Sequence, residues 1–362
     1  MNFQRILVTG ASGFVGTRLC EHLRLTHDAT VRGTAHDPRK AVRLARLDVE
    51  RVSVDLGDPA SLERALDGCD AVVHCAYGTT GTARLRRKLT GEATGTLAEL
   101  ARRAGVRRFV HLSSVAVWGL TPQDRELNES VPLTPVGHPY VDGKIESERG
   151  IAAARERGLA TVVLRPTNVF GPWAPAFTAG PARAIRSGDV ALIGEGKGPA
   201  NHLYVDNLVH AIMRALDNDR AVGGIFVVSD PDGISWRELY DAYAGFSSPP
   251  RPVRSLPLDE YRRLTDKNRR PRALLIAAGD RPGLRAAGRR ALRLVPGAQR
   301  RVRQIAGGGG SSRPSEELAA LHVSNVRFAL DHARDELGYD PPVSLDEALR
   351  LTGEWLRFAR LA

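Results

Sequence analysis

The stretch "RILVTGASGFVG", residues 5–16, decides the fold. An apolar, β-prone run ends at Thr9, glycines follow at 10, 13 and 16, and "TRLCEHLRL" continues with helical spacing. A chain that passes from strand to helix through glycines can turn sharply, admit an anion against its backbone, and aim the free N–H groups of the helix at it. Those are the demands of a pyrophosphate. Gly10, Ser12, Gly13, Phe14, Val15 and Gly16 are therefore read as a dinucleotide-binding turn, the alternative being a glycine-rich turn that binds nothing.

Beyond this turn, short apolar runs alternate with helical patterns: "TVRGTA" (30–35), "VSV" (52–54), "AVVHC" (71–75), "FVHLS" (109–113) and "ATVVLR" (160–165), separated by stretches such as "SLERAL" and "TLAELARRAG". The alternation predicts an α/β fold, a Rossmann-type doubly wound parallel sheet over residues 1–165, followed by a smaller C-terminal substrate lobe over 166–362. The length of 362 residues also exceeds one ordinary compact core. At the third strand's end, Asp55 with Leu56 is placed to receive an adenine amino group, a plain turn aspartate being the other reading. Ala76, beyond the fourth strand, joins the same cofactor set.

Cofactor choice is read at the end of the second strand, where a carboxylate would accept both ribose hydroxyls of NAD. Ala35 stands there, followed by His36, with Arg39 and Lys40 beyond, so the charges favour NADP over NAD. A solvated turn is the other reading of those cations, and Asp37 offers a route back to NAD.

Composition narrows the class. With 42% hydrophobic and 26% charged residues the chain reads as globular and soluble, and no run of about 18 apolar residues or secretion signal is visible, so the cytoplasm is expected. Cys20, Cys69 and Cys75 are too few and too scattered for a disulfide framework or a metal cluster; all three are read as small buried hydrophobes, and no metal is expected.

The net charge of +11 is concentrated: between Arg251 and Arg313 stand 17 Lys or Arg against four acids, more than the whole excess. From Leu284 onward apolar or small residues recur at spacings of three and four among arginines, interrupted at Pro296-Gly297, and "GGGGSS" (307–312) reads as a linker. Two readings stand side by side, a peripheral contact with an anionic membrane surface and a mobile or solvated insertion. Nucleic acid is not expected as a partner, since Tyr261 is the one aromatic in that segment.

"HPYVDGKIESE", residues 138–148, sets Tyr140 one helical turn before Lys144. Alone, such a spacing is commonplace. Together with "ILVTGASGFVGTRL", "VSVDLGD", "FVHLSSVAVWG", "LRPTNVFGP", "LYVDNLVHA" and "ELGYDPPVSLDEALRLTGEWL", in that order, the chain resembles the extended short-chain dehydrogenases, and most of all their 3β-hydroxysteroid dehydrogenase-like members. The resemblance spans nearly all of the chain apart from 251–322.

It implies a nicotinamide-dependent oxidoreductase in which Tyr140 exchanges the proton of a reacting hydroxyl or carbonyl, Lys144 lowers the phenol's pKa and holds the nicotinamide ribose, and Ser114 bonds the same substrate oxygen. Ser113, next to it, is read as a capping or turn serine.

Departures from the family pattern refine the expectation. Val115 and Ala116 occupy the places of the acid–base pair of sugar dehydratases, which argues against dehydration. Ala200 falls where nucleotide-sugar epimerases carry an arginine that grips the sugar diphosphate, although Lys197 and His202 are near in sequence. Trp118 replaces a usual tyrosine and Glu92 a usual asparagine; Glu92 and Asn168 are the candidate substrate residues, a loop-ordering bond being an equal reading for Asn168. The expectation is therefore a dehydrogenase or reductase acting on a secondary alcohol or ketone of a hydrophobic small molecule. A nucleotide-sugar 4-epimerase with tightly held NAD is the alternative, and a non-catalytic NADP-sensing protein the third reading. The resemblance also implies a homodimer.

Overall fold

In the computed structural model, residues 3–27, 29–120, 125–265 and 313–362 are described. Seven strands form the central sheet: β1 (Arg5–Thr9), β2 (Thr30–Ala35), β3 (Glu50–Ser53), β4 (Ala71–His74), β5 (Arg108–Leu112), β6 (Thr161–Pro166) and β7 (Ile225–Val228). They stand in the order 3-2-1-4-5-6-7, and every neighbouring pair is parallel. Alternate side chains enter opposite layers: Ile6 and Val8 join one core with Leu19, Leu208 and Ile212, while Leu7 joins the other with Leu97, Phe109 and Ile151. A sheet buried on both faces needs such nearly continuous apolar strands.

The helices that cover it are α1 (Phe14–Thr26), α2 (Pro59–Leu66), α3 (Ala83–Thr90), α4 (Glu92–Arg103) and α5 (Pro139–Glu156). The strand order reverses at β1, between β2 and β4, and the crevice beyond the carboxyl ends of these strands is where ligands bind in such sheets. The start of α5 is fixed locally, with proline in its first turn and the Asp142 carboxylate accepting from the backbone N–H groups of Val136 (2.8 Å) and Gly137 (3.1 Å).

Five of the six expected strands are met within a residue at either end, and β3 begins two residues earlier than expected. The boundary at residue 165 does not separate the sheet from the rest. Strand β7 and the helix that follows α5 and α6 (Gly180–Ser187), α7 (Val205–Asp217), both come from beyond it and pack into the same core as β1. The four-residue run "IFVV" is too short for its pattern to identify a sheet strand.

The remaining lobe is built on a strand pair, Val190–Ile193 with Arg254–Leu256, and on α6, α8 (Trp236–Gly245), α9 (Glu316–Val323) and α10 (Leu345–Phe358). Its core gathers Leu192, Trp236, Tyr240, Tyr243 and Leu356. This corrects the limits of the basic insertion, because Arg254–Leu256 is a paired strand and Tyr261 is buried, its hydroxyl donating to the Pro314 carbonyl at 3.2 Å. Residues 266–312, with the amphipathic arginine-rich pattern and the "GGGGSS" tract, lie outside the described residues.

Cys20 and Cys69 are buried and Cys75 partly so; all three are free thiols. Among the described residues no helix is long and apolar enough to cross a membrane.

Candidate active site

The turn after β1 is shaped by what a side chain would strike. Gly10 has φ +66°, and a Cβ on it would stand 2.9 Å from the Ala76 backbone. On Gly16 a Cβ would come within 2.3 Å of the Gly10 carbonyl oxygen. Gly13 caps α1 without any side-chain hydrogen bond, so the first turn of the helix offers its N–H groups to a ligand. Ser12, Phe14 and Val15 continue this turn half-exposed, and Ala76 lies against Gly10 with its N–H donating to Thr9 Oγ1 at 3.3 Å. A glycine cradle at a helix N-terminus, beside the reversal of strand order, fits the pyrophosphate of a nicotinamide dinucleotide.

The other cofactor candidates are placed less simply. Asp55 is exposed, and its Oδ1 accepts from the Gly57 N–H at 2.9 Å, closing a turn; Leu56 beside it is half-buried. His36 is exposed. The guanidinium of Arg39 is engaged by both Asp37 oxygens, at 3.0 and 3.1 Å. The sequence weighed these two charges separately, whereas the structure pairs them.

Tyr140 and Lys144 project from the first turns of α5 toward the end of β5. Ser114, immediately after β5, does two things at once: its Oγ accepts from the Ala116 N–H at 3.1 Å and its hydroxyl bonds the Tyr140 phenol. Lys144 is buried, with its ammonium donating to the Leu112 carbonyl at 2.5 Å. Burial pulls Lys144 down to about 8, against the opposing influence of Cys75 and Glu148. Tyr140 moves the other way: burial pushes its phenol up to about 12, the Ser114 bond lowers it, and the nearby Tyr77 phenol adds to the rise. Lys144 is turned to a backbone carbonyl, and the influences on Tyr140 come from burial, Ser114 and Tyr77 and not from Lys144 as expected.

Behind this pair, Glu148 and Arg165 form a buried bidentate ion pair at 3.0 and 2.7 Å, and Ser113 donates to the same carboxylate at 2.5 Å. Arg165 stacks on Trp118 at 4.6 Å, and the Trp118 indole N–H is held by the Val131 carbonyl at 3.0 Å. These contacts lock α5 to β5 and β6, and through α5 the positions of Tyr140 and Lys144. Ser113 thus serves the scaffold, not a turn.

The two candidate substrate residues lie elsewhere. The Asn168 amide donates to the Ala200 carbonyl at 2.7 Å, ordering its loop, and Glu92 lies at the surface, 4.0 Å from Lys88. A cavity of about 200 Å³ opens in front of Tyr140, and its other walls include Tyr77, Gly78, Arg86, Thr90 and His138. Sequence reasoning missed these residues, though their signal was available: Tyr77 and Gly78 follow β4 at the carboxyl edge of the sheet, where functional loops gather.

A phenol bonded to a serine, beside a buried lysine and facing a small cavity, can give or take a proton at an oxygen held there. A bound nicotinamide supplies or accepts the hydride.

Residues 6–229 match the model of the NAD dependent epimerase/dehydratase family. The 2-alkyl-3-oxoalkanoate reductase of Stenotrophomonas maltophilia is 26% identical over 96% of this chain and 97% of its own. The UDP-glucose 4-epimerase of Vibrio cholerae is 30% identical over 65% of this chain and 73% of its own. Among solved structures, MoeE5 in complex with UDP-glucose and NAD covers 98% of this chain and 99% of its own at 21% identity, with a TM-score of 0.70, a likeness of fold. From the glycine turn to the end of β7 the sequence follows one family pattern on the fold that pattern requires, and the chain belongs to the NAD-dependent epimerase/dehydratase family and is a nicotinamide-dependent enzyme.

Proposed function

We propose that this enzyme is a dehydrogenase or reductase that interconverts a secondary alcohol and a ketone on a hydrophobic small molecule, with Tyr140 as proton donor or acceptor, Ser114 holding the reacting oxygen and Lys144 orienting the cofactor. The observation that carries the choice over a nucleotide-sugar epimerase is Ala200. It is fully buried, where an arginine would be needed to grip a sugar diphosphate. Neither nearby cation replaces it: Lys197 is exposed and ion-paired with Glu195, and His202 is buried, with burial lowering its pKa to about 4 and so keeping it neutral. The similarity to a reductase named for a 2-alkyl-3-oxoalkanoate supports the same reading.

The test is cofactor retention. An epimerase keeps its dinucleotide through both hydride steps, whereas a dehydrogenase releases it at every turnover. The expected result is a desalted protein whose denatured supernatant holds little nicotinamide and which then binds added NADH or NADPH. Near-stoichiometric retained NAD would overturn the proposal in favour of the epimerase.

The same reading carries a cytoplasmic homodimer with a small molecule as its ligand. Sedimentation equilibrium at twice the mass of the 39.2 kDa chain is the result expected. A peripheral contact with the membrane through the basic segment belongs to the same proposal, and co-sedimentation with anionic vesicles tests it.

A further inference from the structure

Two imidazoles stand in the middle of the sheet, where strands buried on both faces call for apolar side chains. His74 ends β4, and His111 lies beside it in register on β5; both are buried, and their rings stack with centroids 5.5 Å apart and planes at 22°. Burying an imidazole costs free energy unless its nitrogens find partners, and at His74 both do. Nε2 faces Thr94 Oγ1 at 2.9 Å and Nδ1 faces Thr9 Oγ1 at 2.7 Å.

Each hydroxyl has one hydrogen, and this fixes the direction of every bond. Thr94 gives its hydrogen to the Thr90 carbonyl at 2.7 Å, so it accepts from His74 Nε2–H. Burial, with the Lys144 ammonium nearby, lowers His74 to about 3 and keeps the ring neutral. Nδ1 is then the acceptor, and the Thr9 hydroxyl donates to it. The Thr9 oxygen in turn accepts the Ala76 N–H at 3.3 Å. One directed chain therefore runs from the Ala76 backbone through Thr9 and His74 to Thr94 on α4.

The loop at the start of this chain serves the site twice. Ala76 has its backbone against Gly10 in the cofactor turn, and Tyr77, next to it, touches Tyr140 and Lys144. His111 has a matching part on the other side: its Nε2 donates to Ser147 Oγ at 2.8 Å, and that hydroxyl donates to the Lys144 carbonyl at 2.7 Å.

We infer that His74 is a positioning residue for cofactor binding: its bare Nδ1 orients the Thr9 hydroxyl, whose oxygen holds the Ala76 N–H and with it the loop that closes the dinucleotide turn against Gly10. The inference stands on the nicotinamide cofactor and not on the choice of substrate.

The test uses two amide side chains that each reproduce one nitrogen of the ring. Asparagine places an oxygen near the position of Nδ1, and glutamine, one methylene longer, places an N–H near that of Nε2. His74→Asn thus keeps the acceptor for Thr9 and gives up Thr94, and His74→Gln does the opposite. Binding of NADH and NADPH to the full chain is measured by calorimetric titration, with melting temperatures alongside. His74→Gln is expected to raise the Kd of the dinucleotide by roughly tenfold, as loss of one buried hydrogen bond does, and His74→Asn by about twofold or less, although both melt below the wild type. Thr9→Val should bind as weakly as His74→Gln, and Thr9→Ser as tightly as the wild type. A histidine that merely fills the sheet would give Asn and Gln variants of equal affinity. That result, or a Gln variant that binds at least as tightly as the Asn variant, overturns the inference. If neither variant at residue 74 folds, the Thr9 pair decides, and equal affinity of Thr9→Val and Thr9→Ser overturns it.

Discussion

The ring of Tyr77 stands edge-on to that of Tyr140, with centroids 5.6 Å apart and planes at 67°, and the Lys144 ammonium lies 5.7 Å from the centre of the Tyr77 ring. One side chain from the loop after β4 therefore touches both members of the Tyr–Lys pair. Because the Tyr77 phenol adds to the upward displacement of Tyr140, Tyr77→Phe should let Tyr140 ionise more readily. The alkaline rise of alcohol oxidation should then move to lower pH. Tyr77→Ala should also raise KM, since it removes a wall of the cavity. A pH–rate profile of kcat/KM checks the first, and an unshifted profile would refute the phenol's influence.

Removing the proton carrier should cost far more. Tyr140→Phe is expected to lower kcat by about 10²–10⁴-fold, the usual contribution of general acid–base catalysis, with little change in melting temperature. Ser114→Ala should cost roughly tenfold, from loss of one hydrogen bond to the reacting oxygen. Steady-state rates together with thermal unfolding separate these losses from misfolding.

The buried Glu148–Arg165 pair supports the site from behind. Glu148→Ala leaves Arg165 buried among apolar groups and should destabilise the fold by about 3–5 kcal/mol, whereas Glu148→Leu combined with Arg165→Met should cost less than the single change. Denaturant unfolding of the three proteins decides it. A single variant as stable as the wild type would show that the pair does not anchor α5.

Asp37 and Arg39, at the end of β2, hold each other. In Asp37→Asn the carboxylate that occupies Arg39 is gone, and the guanidinium becomes available to a ribose phosphate. The ratio of kcat/KM for NADP over NAD should rise. An unchanged ratio would mean that the end of β2 does not read the ribose.

Acid should destabilise the protein through its buried imidazoles. Burial lowers His74 and His322 to about 3 and His202 to about 4, from an ordinary value near 6.5, so the folded state keeps them neutral while the unfolded chain protonates them. Their contribution is complete above pH 6.5 and is lost as pH falls toward 4 and then 3. Asp230 opposes this, since burial raises it to about 7 and its protonation below that favours the fold. Three imidazoles outweigh one carboxyl. The melting temperature should fall between pH 6.5 and 4, and the fall should be shallower in His202→Gln; a flat profile would contradict the neutral assignment.

What the sequence by itself determined was everything that depends on short-range pattern. The strand–glycine–helix turn of residues 5–16 was legible because only glycine meets its steric demands, and β1, β2, β4, β5 and β6 because apolar runs buried on both faces are hard to disguise, whereas the exposed edge strand β3 was the one whose start was misplaced. The spacing of Tyr140 and Lys144 set them one helical turn apart on one helix, while their association with Ser114 was read from the resemblance of the surrounding motifs and not from the spacing.

Tertiary structure alone decided the rest. Strand β7 is a four-residue run whose place beside β6 comes from long-range pairing, so the end of the sheet could not be read at residue 165. The pairing of Arg39 with Asp37, the surface position of Glu92 and the bond of Asn168 to Ala200 depend on how side chains turn once their neighbours are present. The cavity itself joins Tyr77 and Arg86 to Tyr140 across more than fifty residues of chain, a distance that periodicity does not cross and packing does.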